Sequence, residues 1–175
     1  MAWPGRYLVG RLPASSIMFT RHRQIMSDLF TINERVRWSA VDKAGIIFYG
    51  AYVRFFELAE MELFRTAGVP YSEVFDRWDM WLPRVHLQSD FHYPSRLDDE
   101  LRVAAYFTHF GTSSLQINFD VLHLAAGQLA VTGHEVLVCT TRDTLESRPL
   151  PKELVEILQP YCMTVEEARA QLVAQ

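Results

Sequence analysis

Hydrophobic and polar positions divide the chain into one long helical stretch and five that alternate. Between residues 29 and 39, Phe30, Ile32, Val36 and Trp38 are apolar with mostly polar neighbours, the period-two pattern of a half-buried strand. Residues 40–50 contain Gly45, Gly50 and the short apolar run Ile46-Ile47-Phe48, and read as a loop entering the next element. From 51 to 67 the period changes. Tyr52, Phe55, Phe56, Ala59, Leu63 and Phe64 recur at three- and four-residue spacing, which gathers them on one helical face. Val53, Leu58 and Met61 add apolar surface beyond that face, so the spacing predicts a largely buried helix. Arg54, Glu57, Glu60, Glu62 and Arg65 then share its exposed strip. Gly68 and Pro70 end it, because glycine tolerates the left-handed cap and proline cannot continue a helix. Tyr71 to Arg77 follows as a short helix.

Beyond Leu82 the period of two returns. Val85, Leu87 and Phe91 precede the break at Tyr93-Pro94. Val103, Ala105 and Phe107 share one side of a strand from Leu101 to Phe110. Leu115, Ile117, Phe119 and Val121 alternate with Gln116, Asn118 and Asp120. Ala125-Ala126-Gly127 reads as a hairpin turn into a strand over 128–141. Helices are expected near 152–158 and after Thr164, where Glu167 three residues on completes a capping box. Consecutive strands joined by tight turns pair antiparallel, and a broadly apolar helix needs a sheet to cover it. The class is α+β, with a five-stranded antiparallel sheet and one long helix.

Composition narrows the possibilities. A length of 175 residues fits one domain. The formal charge of −4 argues against a nucleic-acid partner, which calls for a basic footprint. No apolar run approaches the roughly 20 residues that span a bilayer. Cys139 and Cys162 fit neither a zinc spacing nor a disulfide framework and read as reduced thiols of a cytoplasmic protein. The histidines, His22, His86, His92, His109, His123 and His134, form no HxH or HxxxH pair and read as strand and surface residues, so neither metal nor cofactor is expected. Residues 1–28 stand apart from a domain over 29–160 and a C-terminal helical segment over 161–175. This first segment is basic, with no acidic residue before Asp28, and without sustained periodicity. It reads as a disordered extension, or as sequence upstream of a start at Met18 or Met26, rather than as a secretory signal, whose apolar core it lacks.

One segment carries chemistry. Asp42, Gly45, Ile46, Ile47, Phe48 and Tyr52, with Phe56-Glu57 on the helix, resemble the 4-hydroxybenzoyl-CoA thioesterase family, whose branch includes the Tol-Pal-associated acyl-CoA thioesterases. Tyr93-Pro94-Ser95-Arg96-Leu97-Asp98-Asp99-Glu100-Leu101 and Gly111-Thr112-Ser113-Ser114 resemble two further stretches of that family, in the same order. The resemblance covers roughly residues 30–145. It implies the hotdog fold, a sheet wrapped around one central helix, and hydrolysis of an acyl-CoA with Asp42 as general base or nucleophile. It also implies an oxyanion donor in the backbone N–H of Tyr49 or Gly50, and edge-to-edge homodimers that often pair into homotetramers, with the site at the subunit interface. The physical case runs parallel. Thioester hydrolysis needs a group that activates water or attacks the carbonyl, plus donors for the oxyanion. A helix N-terminus supplies such donors, and glycine at 50 leaves the backbone open to approach. Gly45, Tyr52, Glu57, Ser113 and Ser114 are expected to contact substrate, and Arg96, Arg142 and Arg148 are candidates for the CoA phosphates. Another hotdog branch carries its catalytic Glu on the helix, which makes Glu57 and Glu60 the competing carboxylates. A non-catalytic acyl-CoA-binding or scaffold protein of the same fold is the alternative.

Overall fold

The computed structural model describes residues 28–175, so the expectation for the N-terminal segment lies, up to residue 27, outside the described residues. The elements are β1 (Phe30–Arg35), α1 (Tyr52–Thr66), α2 (Tyr71–Arg77), β2 (Arg84–Phe91), β3 (Glu100–Phe110), β4 (Ser114–His123), β5 (Gln128–Val138), α3 (Lys152–Leu158) and α4 (Val165–Ala174). The strands form one sheet in the order β1-β3-β4-β5-β2, and every neighbouring pair is antiparallel. α1 packs along its inner face. This is the expected hotdog arrangement.

The inner face is apolar because the alternations in β3 and β4 point the same way. Val103, Ala105 and Phe107 of β3, and Ile117, Phe119 and Val121 of β4, are all fully buried together with Phe56, Ala59, Leu63 and Phe64 of α1. Burying each large side chain is worth about 1.5–3 kcal/mol, so this face dominates the stability. Phe56 lies flat on Phe119, with ring centroids 4.6 Å apart and planes 8° from parallel. Gly133 of β5 makes room for that ring: a Cβ there would stand 2.6 Å from the Gln88 carbonyl oxygen and 3.0 Å from Phe56 ring atoms.

The structure corrects two expectations. β1 stops at Arg35 instead of continuing to residue 39, because its partner β3 begins at Glu100 and the ladder runs out at Arg35↔Glu100. Trp38–Ala40 instead forms a single 3-10 turn, which leaves Trp38 78% exposed. Glu60 belongs to no exposed strip and is fully buried. Its carboxylate bonds the Arg84 guanidinium and the Tyr71 hydroxyl, while Arg84 Nε reaches Glu135 Oε2 at 2.6 Å. A buried charge persists only when paired in this way. Burial still pushes the Glu60 and Glu135 carboxyls above the usual range, with Arg84 opposing the shift in both.

α4 carries the expected capping box, with Thr164 and Glu167 bonding reciprocally. It lies on the outer face of the sheet, where Ala168 and Leu172 pack with Leu29, Ala104, Tyr106 and Leu122. Beneath it the buried Asp120 accepts from the Tyr106 hydroxyl at 2.9 Å and from Arg169 at 3.2 Å. β2 forms one edge of the sheet. Its Val85, Leu87 and Phe91 are exposed, and its pairing with β5 slips between Arg84 and His86.

Candidate active site

Asp42 sits in a tight hairpin just ahead of α1. Val41 and Ile47 bridge across it, Asp42 N–H donates to Ile46 O at 3.0 Å, and Gly45 N–H donates to Asp42 O at 2.9 Å. Gly45 takes φ +74°, a left-handed conformation that glycine adopts without the steric cost a side chain would bring. Asp42 Oδ1 accepts the Ala44 N–H at 2.8 Å, an Asx turn that fixes the carboxylate and leaves Oδ2 without a partner among the described residues.

Tyr49–Ala51 is a 3-10 turn that runs directly into α1. Its first closing bond is Ala51 N–H to Phe48 O at 2.9 Å. The N–H groups of Tyr49 and Gly50 precede it and so have no acceptor within the turn, the ordinary state of a helix start. They lie at the positive end of the α1 dipole. The Cβ direction of Gly50 is not open as expected, since a Cβ there would stand 2.7 Å from the ring of Phe48. A side chain at position 50 would therefore displace the half-exposed Phe48 ring.

Asp42, Phe48 and Tyr49 open onto a cavity of about 410 Å³. Ile46 and Ile47 of the hairpin, Tyr52 of α1, Phe91 at the end of β2, and His92, Tyr93 and Pro94 just beyond it complete its walls. Tyr52 and Phe91 meet with ring centroids 5.7 Å apart. Burial pushes the Tyr52 phenol up, Ser95 opposes the shift and the Asp99 carboxylate adds to it. Ser95 Oγ is itself buried and makes no hydrogen bond of good geometry. Phe91, Tyr93 and Pro94 were not anticipated as site residues. They abut the Tyr93–Leu101 stretch that resembles the family, and this was the available signal.

The remaining sequence candidates scatter within one copy of the chain. Glu57 is exposed on α1 and does not line the cavity. Glu60 is committed to Arg84 and Tyr71. Ser113 and Ser114 lie at the β3–β4 turn, where Ser113 O accepts the Cys139 N–H at 2.7 Å. The 11 residues of β3 separate that turn from the Asp42 end by roughly 33 Å, at about 3.3 Å per residue. Arg142 pairs with Asp76 and stacks on Trp81, and Arg148 donates to Asp79 O at 3.1 Å. Arg96 stands beside the hairpin, its Nη1 3.8 Å from where a Gly45 Cβ would lie. His123 departs from the surface reading: it is 6% exposed and bonded to Asp99. Among the described residues no three His, Cys, Asp or Glu side chains gather as metal ligands. No helix among those residues is long and apolar enough to cross a membrane.

Comparison with known proteins agrees with this fold. The chain is 24% identical over 125 residues to the 1,4-dihydroxy-2-naphthoyl-CoA hydrolase of Synechococcus elongatus, covering 71% of this chain and 90% of that protein. It is 25% identical over 127 residues to the acyl-CoA thioester hydrolase YbgC of Escherichia coli, covering 73% and 93%. The crystal structure of a 1,4-dihydroxy-2-naphthoyl-CoA thioesterase from Synechocystis superposes with a TM-score of 0.70 at 20% identity, over 75% of this chain and 96% of that one. The profile of the thioesterase-like superfamily matches residues 36–158, from the end of β1 to the end of α3. With four of the five strands, the central helix and the Asp42 hairpin within that span, the chain belongs to the thioesterase-like superfamily.

Proposed function

We propose that the chain is an acyl-CoA thioesterase, hydrolysing an acyl- or aryl-CoA thioester to free acid and CoA with Asp42 as the reacting carboxylate. One observation carries the reading: Asp42, whose Oδ2 has no partner among the described residues, and Tyr49, whose amide is unbonded at the start of α1, line one apolar cavity, with the unbonded Gly50 amide next in the chain. As a general base, Asp42 takes a proton from water, the resulting hydroxide adds to the thioester carbonyl, and the amides hold the oxyanion. Collapse expels the CoA thiolate, which takes up a proton. As a nucleophile, Asp42 displaces the thiolate to give an acyl-carboxylate anhydride, which water then cleaves. Both routes use the same atoms.

Relatives named as CoA-thioester hydrolases support the CoA ester as substrate. The Asp42–Tyr52 pattern supports the 4-hydroxybenzoyl-CoA branch within the superfamily. The aromatic walls, Phe48, Tyr52, Phe91 and Tyr93, favour an aryl or other apolar acyl group. The two free cysteines support a reducing, cytoplasmic setting.

A homodimer across the β2 edges, itself able to pair into a tetramer, belongs to this reading. β2 presents an unpaired edge bearing exposed Val85, Leu87 and Phe91, which invites another strand. A two-fold axis there reverses the partner strand. The Phe91 end of one copy, beside Asp42, then meets the Arg84 end of the other, on which Ser113 and Ser114 lie. That arrangement reconciles the scattered candidates with one composite site.

The test is a panel of benzoyl-, phenylacetyl- and hexanoyl-CoA assayed by free-thiol release. Asp42→Asn is expected to lower kcat by about 10²–10⁴-fold with the fold intact, the usual contribution of a positioned acid or base. Undiminished turnover in that variant moves the reaction to Glu57, which of the two competing carboxylates, Glu57 and Glu60, is the accessible one. An intact protein that binds CoA esters and hydrolyses none of them is a binding or scaffold protein instead.

A further inference from the structure

We propose that His123 and Asp99 form a positioning pair that holds the Asp42 hairpin against the Tyr49–Gly50 amides. The proposal rests on Asp42 being the reacting carboxylate. His123 ends β4, and its Nδ1 accepts the Ala126 N–H at 3.2 Å. A ring nitrogen that accepts carries no proton, so the proton is on Nε2, 3.0 Å from Asp99 Oδ2. The tautomer is therefore set by the turn after β4, and the neutral ring donates to the carboxylate.

Asp99 transmits this hold. The same Oδ2 accepts the Arg96 N–H at 2.6 Å and closes the turn over 96–99. Asp98 within the turn takes φ +68°, a conformation that needs support from its surroundings. On the near side of the turn, Ser95 O accepts the Ile47 N–H at 2.9 Å. That bond ties the segment to the strand leaving the Asp42 hairpin, and the Arg96 side chain abuts Gly45 at its tip. A second contact runs to the cavity wall, where the Tyr93 ring meets His123 edge-on with centroids 5.2 Å apart. His123 touches neither Asp42 nor the cavity, yet it fixes two pieces that do. The hairpin is otherwise held by its own short bonds and by Ile47 and Val41 packing into the core, and a displacement of about 1 Å in a reacting group can cost on the order of 100-fold in rate.

The experiment compares His123→Leu, His123→Gln and Asp99→Asn with Asp42→Asn, using whichever of the three CoA esters turns over best. Leucine fills the space without a donor, whereas glutamine keeps an N–H near the Nε2 position. His123→Leu and Asp99→Asn are expected to lower kcat about tenfold or more with KM within about twofold, and glutamine to recover kcat to within about threefold of the parent. A purely structural role would lower kcat and melting temperature in step for leucine and glutamine alike, and that result overturns the proposal. So does an inactive Asp42→Asn beside a His123→Leu with the parent's kcat, an outcome that leaves the Asp42 reading standing. A fully active Asp42→Asn removes both. If His123→Leu does not fold, Asp99→Asn decides in the same way.

Discussion

Arg84→Met tests how two buried carboxylates are tolerated beside the helix. The substitution keeps much of the side chain's apolar stem and removes the guanidinium that bonds Glu60 and, at 2.6 Å, Glu135. Both carboxylates are buried, and among the described residues no other cation pairs with them; only the Tyr71 hydroxyl remains on Glu60. Breaking a buried pair costs about 3–5 kcal/mol. The Arg84 side chain is 38% exposed, so water screens part of the interaction and about 3 kcal/mol is the appropriate figure. At about 2–4 °C per kcal/mol for a domain of this size, the melting temperature falls by about 6–12 °C at pH 7.5.

The pH dependence gives the sharper check. Burial already raises the folded pKa of Glu60 and Glu135, and Arg84 opposes the rise. Without the guanidinium both values climb further above their unfolded ones. Between the unfolded and the raised value the folded state binds more protons, so stability falls as pH rises through that window. The deficit of the variant against the parent is therefore small near pH 5 and largest at pH 7.5. Thermal melts at both values measure it. A fall of less than about 2 °C at pH 7.5, or a deficit independent of pH, refutes the reasoning.

Two further perturbations probe the frame. Gly133→Ala forces a Cβ to 2.6 Å from the Gln88 carbonyl and 3.0 Å from the Phe56 ring, and is expected to cost about 1–3 kcal/mol in urea unfolding by prying β2 from β5. Thr164→Ala removes one half of the capping box of α4 and is expected to cost about 1 kcal/mol, or about 2–4 °C in a thermal melt.

What could be read from the sequence was local. The α1 face, the bounds of α2 and α3 and the Thr164–Glu167 box all depend on residues within a few positions of one another, and each appears as expected. The stretch around Asp42 was legible as a loop entering α1, because Asp42, Gly45 and Tyr52 lie in one short run, but not as the hairpin that it forms. Glu60 was misread because its partners, Arg84 and Tyr71, lie 24 and 11 positions away in other elements, and helical periodicity alone counts a glutamate as exposed. His123 was misread for the same reason: it looked like a surface residue until the sheet brought Asp99 beneath it. The separation of Ser113 and Ser114 from Asp42 depends on which end of β3 each turn occupies, a matter of topology that no local pattern contains.

The Arg84 cluster and the cavity share one strand. β2 carries Arg84 at one end and Phe91, a wall of the cavity, at the other. Among the described residues only β5 pairs with it, and its hold on the fold comes from that ladder, from the Trp81–Thr140 bridge just before it, from the Tyr52–Phe91 contact and from the Arg84 links to Glu60 and Glu135. An edge strand with exposed apolar residues and no such anchor is free to slip in register, and a slip of one residue would turn Phe91 away from the cavity. The buried charges thus do more than stabilise: they fix the strand at the end remote from the chemistry, so that Phe91 stays opposite Tyr52 at the other. Arg84→Met should therefore raise KM for an aryl-CoA at pH 7.5 even at temperatures where the protein remains folded, and lowering the pH to 5 should restore it in part. A variant that loses stability while its KM stays at the parent's value would separate the two ends of the strand and leave the cluster a matter of stability alone.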